Sequence, residues 1–139
     1  MIAYLDASVL LRLVLAQPDA LAEWKLVERG VASALAEVEC LRTLDRLRLT
    51  EALNDAVIAA RREAIYRLME AIEIVEITSA VLARASQPLP TTLGTLDAIH
   101  LATAMLWQER SGQTLILATH DQALATAARA SGLRVVGVP

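Results

Sequence analysis

The chain contains no phenylalanine, and its two tryptophans and two tyrosines stand far apart, at Trp24, Trp107, Tyr4 and Tyr66. That excludes an aromatic platform on which single-stranded RNA bases would stack. Its single cysteine, Cys40, excludes an intrachain disulfide. Set among Val38, Leu41 and Leu44 in a helical pattern, Cys40 reads as a small buried hydrophobe and not as a nucleophile. Apolar runs such as residues 2–5 and 9–11 are far too short to span a bilayer, so no membrane partner is expected. The segment Met1 to Asp6 reaches an acid without any basic stretch. It does not read as a signal peptide, and a cytoplasmic location is expected. The net charge of −3 lacks the basic excess of a general nucleic-acid binder. Lysine is nearly absent: of 13 basic residues only Lys25 is not arginine. Arginine suits bidentate phosphate recognition, although biased codon usage produces the same composition.

What is present is ample material for one core. The 139 residues are 55% hydrophobic and 21% charged, which predicts a single domain over residues 1–139. No repeat, linker or low-complexity segment interrupts it. The apolar run 2–5 ends at Asp6 and reads as a buried strand. A helical pattern over 8–16 stops before Pro18. Asp19 can cap a second helix, 20–29, with Gly30 as its stop. A short strand is expected at 31–33 and a helix over 35–49. Thr50 can cap the next helix, 51–71. A strand at 73–77 follows, then a helix over 79–86 started by Thr78 or Ser79. Pro88-Leu89-Pro90 and Gly94 break the chain. Helices are expected over 96–110 and 121–131, stopped by Gly112 and Gly132, and strands over 114–118 and 133–138. Strands alternating with helices predict an α/β fold: a central, mostly parallel sheet flanked by helices on both faces.

Functional sites of such sheets lie outside the carboxyl ends of the strands. Asp6 follows the first strand, with Ser8 two residues on. Thr119, His120 and Asp121 follow the strand at 114–118. Asp97 opens the helix 96–110, and Glu39 lies within the helix 35–49. Each acid has a structural alternative. Asp6 can cap the helix 8–16. Thr119-His120-Asp121-Gln122 fits a capping box, and Asp97 sits in a first helical turn. At 100° per residue Glu39 shares a face with Arg42, Thr43 and Arg46, whereas Glu37 shares one with Leu41 and Leu44. That polar face is either solvated, with Glu–Arg pairs, or a carboxylate flanked by phosphate-binding guanidinium groups. Carboxylates packed together repel, and a divalent cation removes the conflict. An all-oxygen site favours Mg2+ or Mn2+ over zinc, and such an ion can activate water and stabilise charge on a phosphoryl group. His100, three residues after Asp97, could ligate metal, orient Asp97, or be a partly buried histidine making one hydrogen bond. His120-Asp121 follows a strand, unlike the helical His-Asp pair of metal phosphohydrolases.

Four segments, in order, resemble the PIN-domain ribonucleases, and specifically the VapC-like toxins of toxin–antitoxin pairs. Tyr4-Leu5-Asp6-Ala7-Ser8-Val9-Leu10 resembles the opening strand with its first acid. Ser33-Ala34-Leu35-Ala36-Glu37-Val38-Glu39-Cys40-Leu41-Arg42 is similar to the segment carrying the second, and favours Glu39 over Glu37. Leu93-Gly94-Thr95-Leu96-Asp97-Ala98-Ile99-His100-Leu101-Ala102-Thr103-Ala104 is the most specific match. Ala118-Thr119-His120-Asp121-Gln122-Ala123-Leu124, continued by Ala127-Ala128 and Ser131-Gly132-Leu133, resembles the closing segment.

The resemblance implies a PIN-like fold with Asp6, Glu39, Asp97 and Asp121 as catalytic metal ligands converging on one cleft. It implies a Mg2+- or Mn2+-dependent endoribonuclease, the toxin of a type II pair. It also implies a homodimer and a cognate antitoxin whose peptide covers the cleft. Ser8 and Thr119 would then support the ligands and position water or phosphate. Arg42 and Arg46 would contact RNA, and Val14, Leu15, Leu21 and Trp24 are candidates for a partner groove. Two other readings fit the acids: a non-catalytic dimeric interaction module in which they are helix caps, and a DNA-directed nuclease with the same metal site.

Overall fold

In the computed structural model, which describes residues 1–139, the apolar run Ile2–Leu5 forms strand β1. On one side it pairs with β2 (Arg29–Ser33), which pairs with β3 (Glu73–Val75). On the other side it pairs with β4 (Ile116–Ala118), followed by β5 (Arg134–Val136). All four ladders are parallel, in the order β3-β2-β1-β4-β5. Parallel neighbours require crossovers, and helices supply them. Helix α1 (Ala7–Val14) and a short 3-10 helix (Ala22–Leu26) link β1 to β2. Helices α2 (Leu35–Thr50) and α3 (Asp55–Ala71) link β2 to β3. Helices α4 (Ser79–Ala85) and α5 (Thr95–Ser111) link β3 to β4, and α6 (Gln122–Ala130) links β4 to β5.

The alternation of β1 sorts two cores. Ala3 and Leu5 pack with Leu10, Ala36, Cys40 and Ile65 from α1, α2 and α3. Tyr4 faces the other way, among Leu101, Leu117, Leu124 and Ala128 from α5, β4 and α6. The sheet is thus covered on both faces, as expected, and each fully buried leucine or isoleucine contributes about 1.5–3 kcal/mol of transfer free energy. No helix is long and apolar enough to cross a membrane.

Several boundaries differ from the sequence expectation. Residues 20–29 do not form an α-helix: only the 3-10 turn Ala22–Leu26 is helical, and Asp19 pairs with Arg12 instead of capping it. Strand β2 begins at Arg29, so Gly30 lies inside a strand and stops no helix. A side chain there would collide with Ile72 and Leu5, at 2.7 and 2.8 Å from the Cβ position. The glycine admits close packing. Thr50 is the last residue of α2, its hydroxyl donating to the Arg46 carbonyl, and Asn54 caps α3 through the Val57 N–H. The strands at 73–77, 114–118 and 133–138 shrink to three residues each.

Candidate active site

Strand order runs outward from β1 in both directions, toward β2 and toward β4. The crevice at such a reversal, at the carboxyl ends of the strands, is where open α/β sheets bind ligands. Asp6 stands there, one residue beyond β1, and is 5% exposed. Its Oδ1 accepts from the Ala7 N–H at 2.8 Å and caps α1. Its Oδ2 accepts from the hydroxyls of Ser8 and Thr119, both at 2.8 Å. Each hydroxyl is itself oriented by a backbone donor: His120 N–H to Ser8 Oγ at 3.0 Å, and Asp121 N–H to Thr119 Oγ1 at 3.0 Å. The end of β1 is thereby fastened to the end of β4. Ser8 and Thr119, singled out in the sequence, thus both touch the Asp6 carboxylate. Gly137 closes the arrangement from behind, since a Cβ at its φ of 103° would stand 2.2 Å from the Thr119 carbonyl oxygen.

Asp121, exposed, caps α6 itself by accepting from the Leu124 N–H at 2.8 Å, so the capping box expected from Thr119 is not formed. Asp97 lies in the first turn of α5 and is half-buried. Its carboxyl is pushed up to about 6, first by burial and then by the negative charges of Asp121, Asp6 and Glu39, with His100 opposing. The field of all three other acids at Asp97 marks one electronegative cleft.

Glu39 projects from α2 and accepts from His100 Nε2 at 2.5 Å. Neither Arg42 nor Arg46 pairs with it: Arg42 meets Asp45 at 3.5 Å, and Arg46 bonds Thr43 Oγ1 at 3.1 Å. Both arginines are exposed. His100 is fully buried, and its second nitrogen, Nδ1, bonds the Tyr4 hydroxyl at 2.6 Å. Its Nε2 also lies 3.7 Å from Asp6 Oδ1. The expectation that His100 orients Asp97, or makes a single bond, is corrected: it makes two, to Tyr4 and Glu39. Burial resists charging of the ring, but the Glu39 bond and the charges of Asp6, Glu39 and Asp97 outweigh it and raise His100. The Tyr4 hydroxyl is raised well above its ordinary value by burial, then by Asp6 and Glu39. Tyr4 escaped the sequence reading, yet two signals were present. It alternates onto the Asp6 side of the strand, and a buried tyrosine hydroxyl needs a partner. His120 stands apart, its Nδ1 donating to the Gly137 carbonyl at 2.9 Å.

As the side chains stand, no three His, Cys, Asp or Glu residues form a group set to hold a metal ion. The reason is visible in their partners. Asp6 is turned to two hydroxyls, Glu39 to His100 and Asp121 to its helix cap. The donor set nevertheless fits a hard divalent cation: it is all carboxylate oxygen, and the neighbouring negative charges that add to burial in raising Asp97 are ones a cation would offset.

An apolar groove of about 670 Å³ opens elsewhere, between α1, the 3-10 helix and α3, lined by Leu13, Val14, Trp24, Ala64 and Leu68. Of the four groove candidates read from sequence, Val14 and Trp24 line it; Leu15 and Leu21 do not. Leu21 is 4% exposed and belongs to the core.

A family model described as PIN domain matches residues 3–130. The ribonuclease VapC46 of Mycobacterium tuberculosis is 36% identical over 137 residues, covering 96% of this chain and 95% of that protein. Among solved structures, FitAcB from Neisseria gonorrhoeae superposes with a TM-score of 0.71 at 20% identity, covering 98% of this chain and 96% of that one. A toxin-antitoxin complex from Klebsiella pneumoniae gives 0.68 at 18% identity, covering 96% and 95%.

Proposed function

Because this chain belongs to the PIN-domain family, we propose that residues 1–139 act as a single PIN domain: a metal-dependent endoribonuclease that hydrolyses RNA phosphodiester bonds. The observation that supports the reading most is Asp6, held by Ser8 and Thr119 at the carboxyl end of β1 beside β4, with its charge and those of Asp121 and Glu39 felt at Asp97. Those four carboxylates would hold Mg2+ or Mn2+. Bound there, the ion supplies activation of water and neutralisation of charge gathering on the phosphoryl group. Ser8 and Thr119 hold the Asp6 carboxylate in place, and Arg42 and Arg46 would meet RNA phosphates from the exposed side of α2.

The tuberculosis relative is a VapC ribonuclease and the Klebsiella neighbour is a toxin-antitoxin complex. Both support the toxin role, with a cognate antitoxin as partner. The toxin would act as a homodimer in the cytoplasm.

The test is cleavage of total RNA by purified, antitoxin-free protein with Mg2+, Mn2+ or EDTA, beside a folded Asp6→Asn variant. Discrete products that need metal and vanish in the variant are expected. Equal cleavage by both proteins, or none by a folded, metal-loaded wild type, would count against the reading. The capping bonds of Asp6 and Asp121 favour a second reading, a non-catalytic interaction module. It predicts that Asp6→Asn lowers stability and leaves metal binding untouched. A DNA-directed nuclease would show itself in competition between RNA and DNA substrates.

A further inference from the structure

A buried chain of three side chains reaches the candidate site from inside the fold. Tyr4 and His100 are both 0% exposed, and the hydroxyl-to-Nδ1 bond between them is 2.6 Å. From the far side of the ring, Nε2 bonds Glu39 Oε1 at 2.5 Å. A carboxylate only accepts, so the hydrogen of that bond sits on Nε2. The tyrosine hydroxyl serves either state of the ring, donating to a neutral Nδ1 or accepting from a charged one. The ring packs edge-on against Tyr4, with centroids 5.9 Å apart. Nothing else in the structure restrains the Glu39 carboxylate: no arginine or lysine lies within ion-pair distance, and its side chain is 24% exposed. On charge alone Asp6 and Asp97 would drive it outward.

We propose that Tyr4 is a positioning residue: its hydroxyl sets the plane of the His100 ring, and the ring in turn holds the Glu39 carboxylate at the cleft. Supports that orient metal ligands from behind typically contribute 10- to 100-fold in metal affinity. Tyr4 is thereby linked to the metal site without touching it. The proposal rests on the metal-centre reading above, but its first readout does not.

The test uses Tyr4→Phe, which removes one oxygen and keeps the ring, and His100→Gln, which severs the chain in its middle. In metal-free protein labelled with nitrogen-15 in histidine, wild type should show a downfield, exchange-protected proton on His100 Nε2. Tyr4→Phe should lose that protection. Mn2+ titration should then show about 10- to 100-fold weaker binding by each folded variant, with Asp6→Asn as the reference for a lost ligand. A merely structural role would lower the unfolding midpoint and leave the affinity of the folded protein unchanged. That result, or an Nε2 proton equally protected in Tyr4→Phe, overturns the proposal. Should wild type bind no Mn2+, the metal reading falls, and the proton signal alone decides: lost in Tyr4→Phe it upholds the positioning role, retained it refutes it.

Discussion

Asp97→Asn should stabilise the metal-free protein while abolishing its metal-dependent activity. In the folded chain the Asp97 carboxyl is raised from 3.8 to about 6, chiefly by burial and then by Asp121, Asp6 and Glu39. The folded state therefore holds this proton to higher pH than the unfolded chain does. Below 3.8 both states are protonated and nothing is lost; above about 6 the folded state carries a charge that it disfavours. At 1.36 kcal/mol per pH unit the full displacement corresponds to about 3 kcal/mol. Asp97 is only half-buried, and solvent screening reduces this to about 1–1.5 kcal/mol. Asparagine keeps the shape and discards the charge. In EDTA at pH 7.5 the variant should melt about 3–5 °C above wild type. At pH 5, between the two titration points, roughly half of the gap should remain. If Asp97 is a ligand as proposed, saturating Mn2+ should reverse the ranking, since ligand binding stabilises the state that binds it. A variant no more stable than wild type in EDTA at pH 7.5, or a gap that does not shrink toward pH 5, would refute the electrostatic reasoning.

Thr119→Val should destabilise the protein by about 1.5–3 kcal/mol in urea titration. It deprives the buried Asp6 carboxylate of one donor and the Asp121 N–H of its acceptor, whereas Thr119→Ser should keep most of the stability. At Asp121, alanine should cost about 1 kcal/mol through loss of the α6 cap. Asparagine should keep the cap, so the two variants should differ in melting temperature and share a loss of RNA cleavage. Cys40, fully buried and pushed up to about 12 by burial and by Glu39, Asp6 and Glu37, should stay silent toward a thiol reagent at pH 8 until the chain is unfolded.

Much of the fold is legible in the sequence because apolar run length and strand–helix alternation report on a sheet buried on both faces. Residues 2–5 announce β1, and the acid that ends the run marks the carboxyl end of the strand where the candidate site lies. The 20–29 segment misleads because Gly30 can end a helix or permit close packing inside a strand. Only the tertiary partners Ile72 and Leu5 distinguish the two. The four acids can be placed at their elements from sequence, but what each one touches cannot. Glu39 shares a helical face with Arg42 and Arg46, yet its partner lies 61 residues away on another helix. Tyr4 can be placed on the Asp6 side of its strand from sequence, but its partner cannot: a bond spanning 96 residues leaves no periodicity to read.

The fastening of Asp6 to Thr119 crosses 113 positions of the chain. Non-local pairing of this kind forms late, since its loop-closure entropy is met only when the intervening elements have docked. A nascent chain on the ribosome therefore exposes Asp6 early, but cannot fix it until β4 and the residues behind it have emerged. A site stitched across the sheet in this way stands or falls with it: any opening that parts β4 from β1 also frees the Asp6 carboxylate, so local fraying and loss of the site are one event.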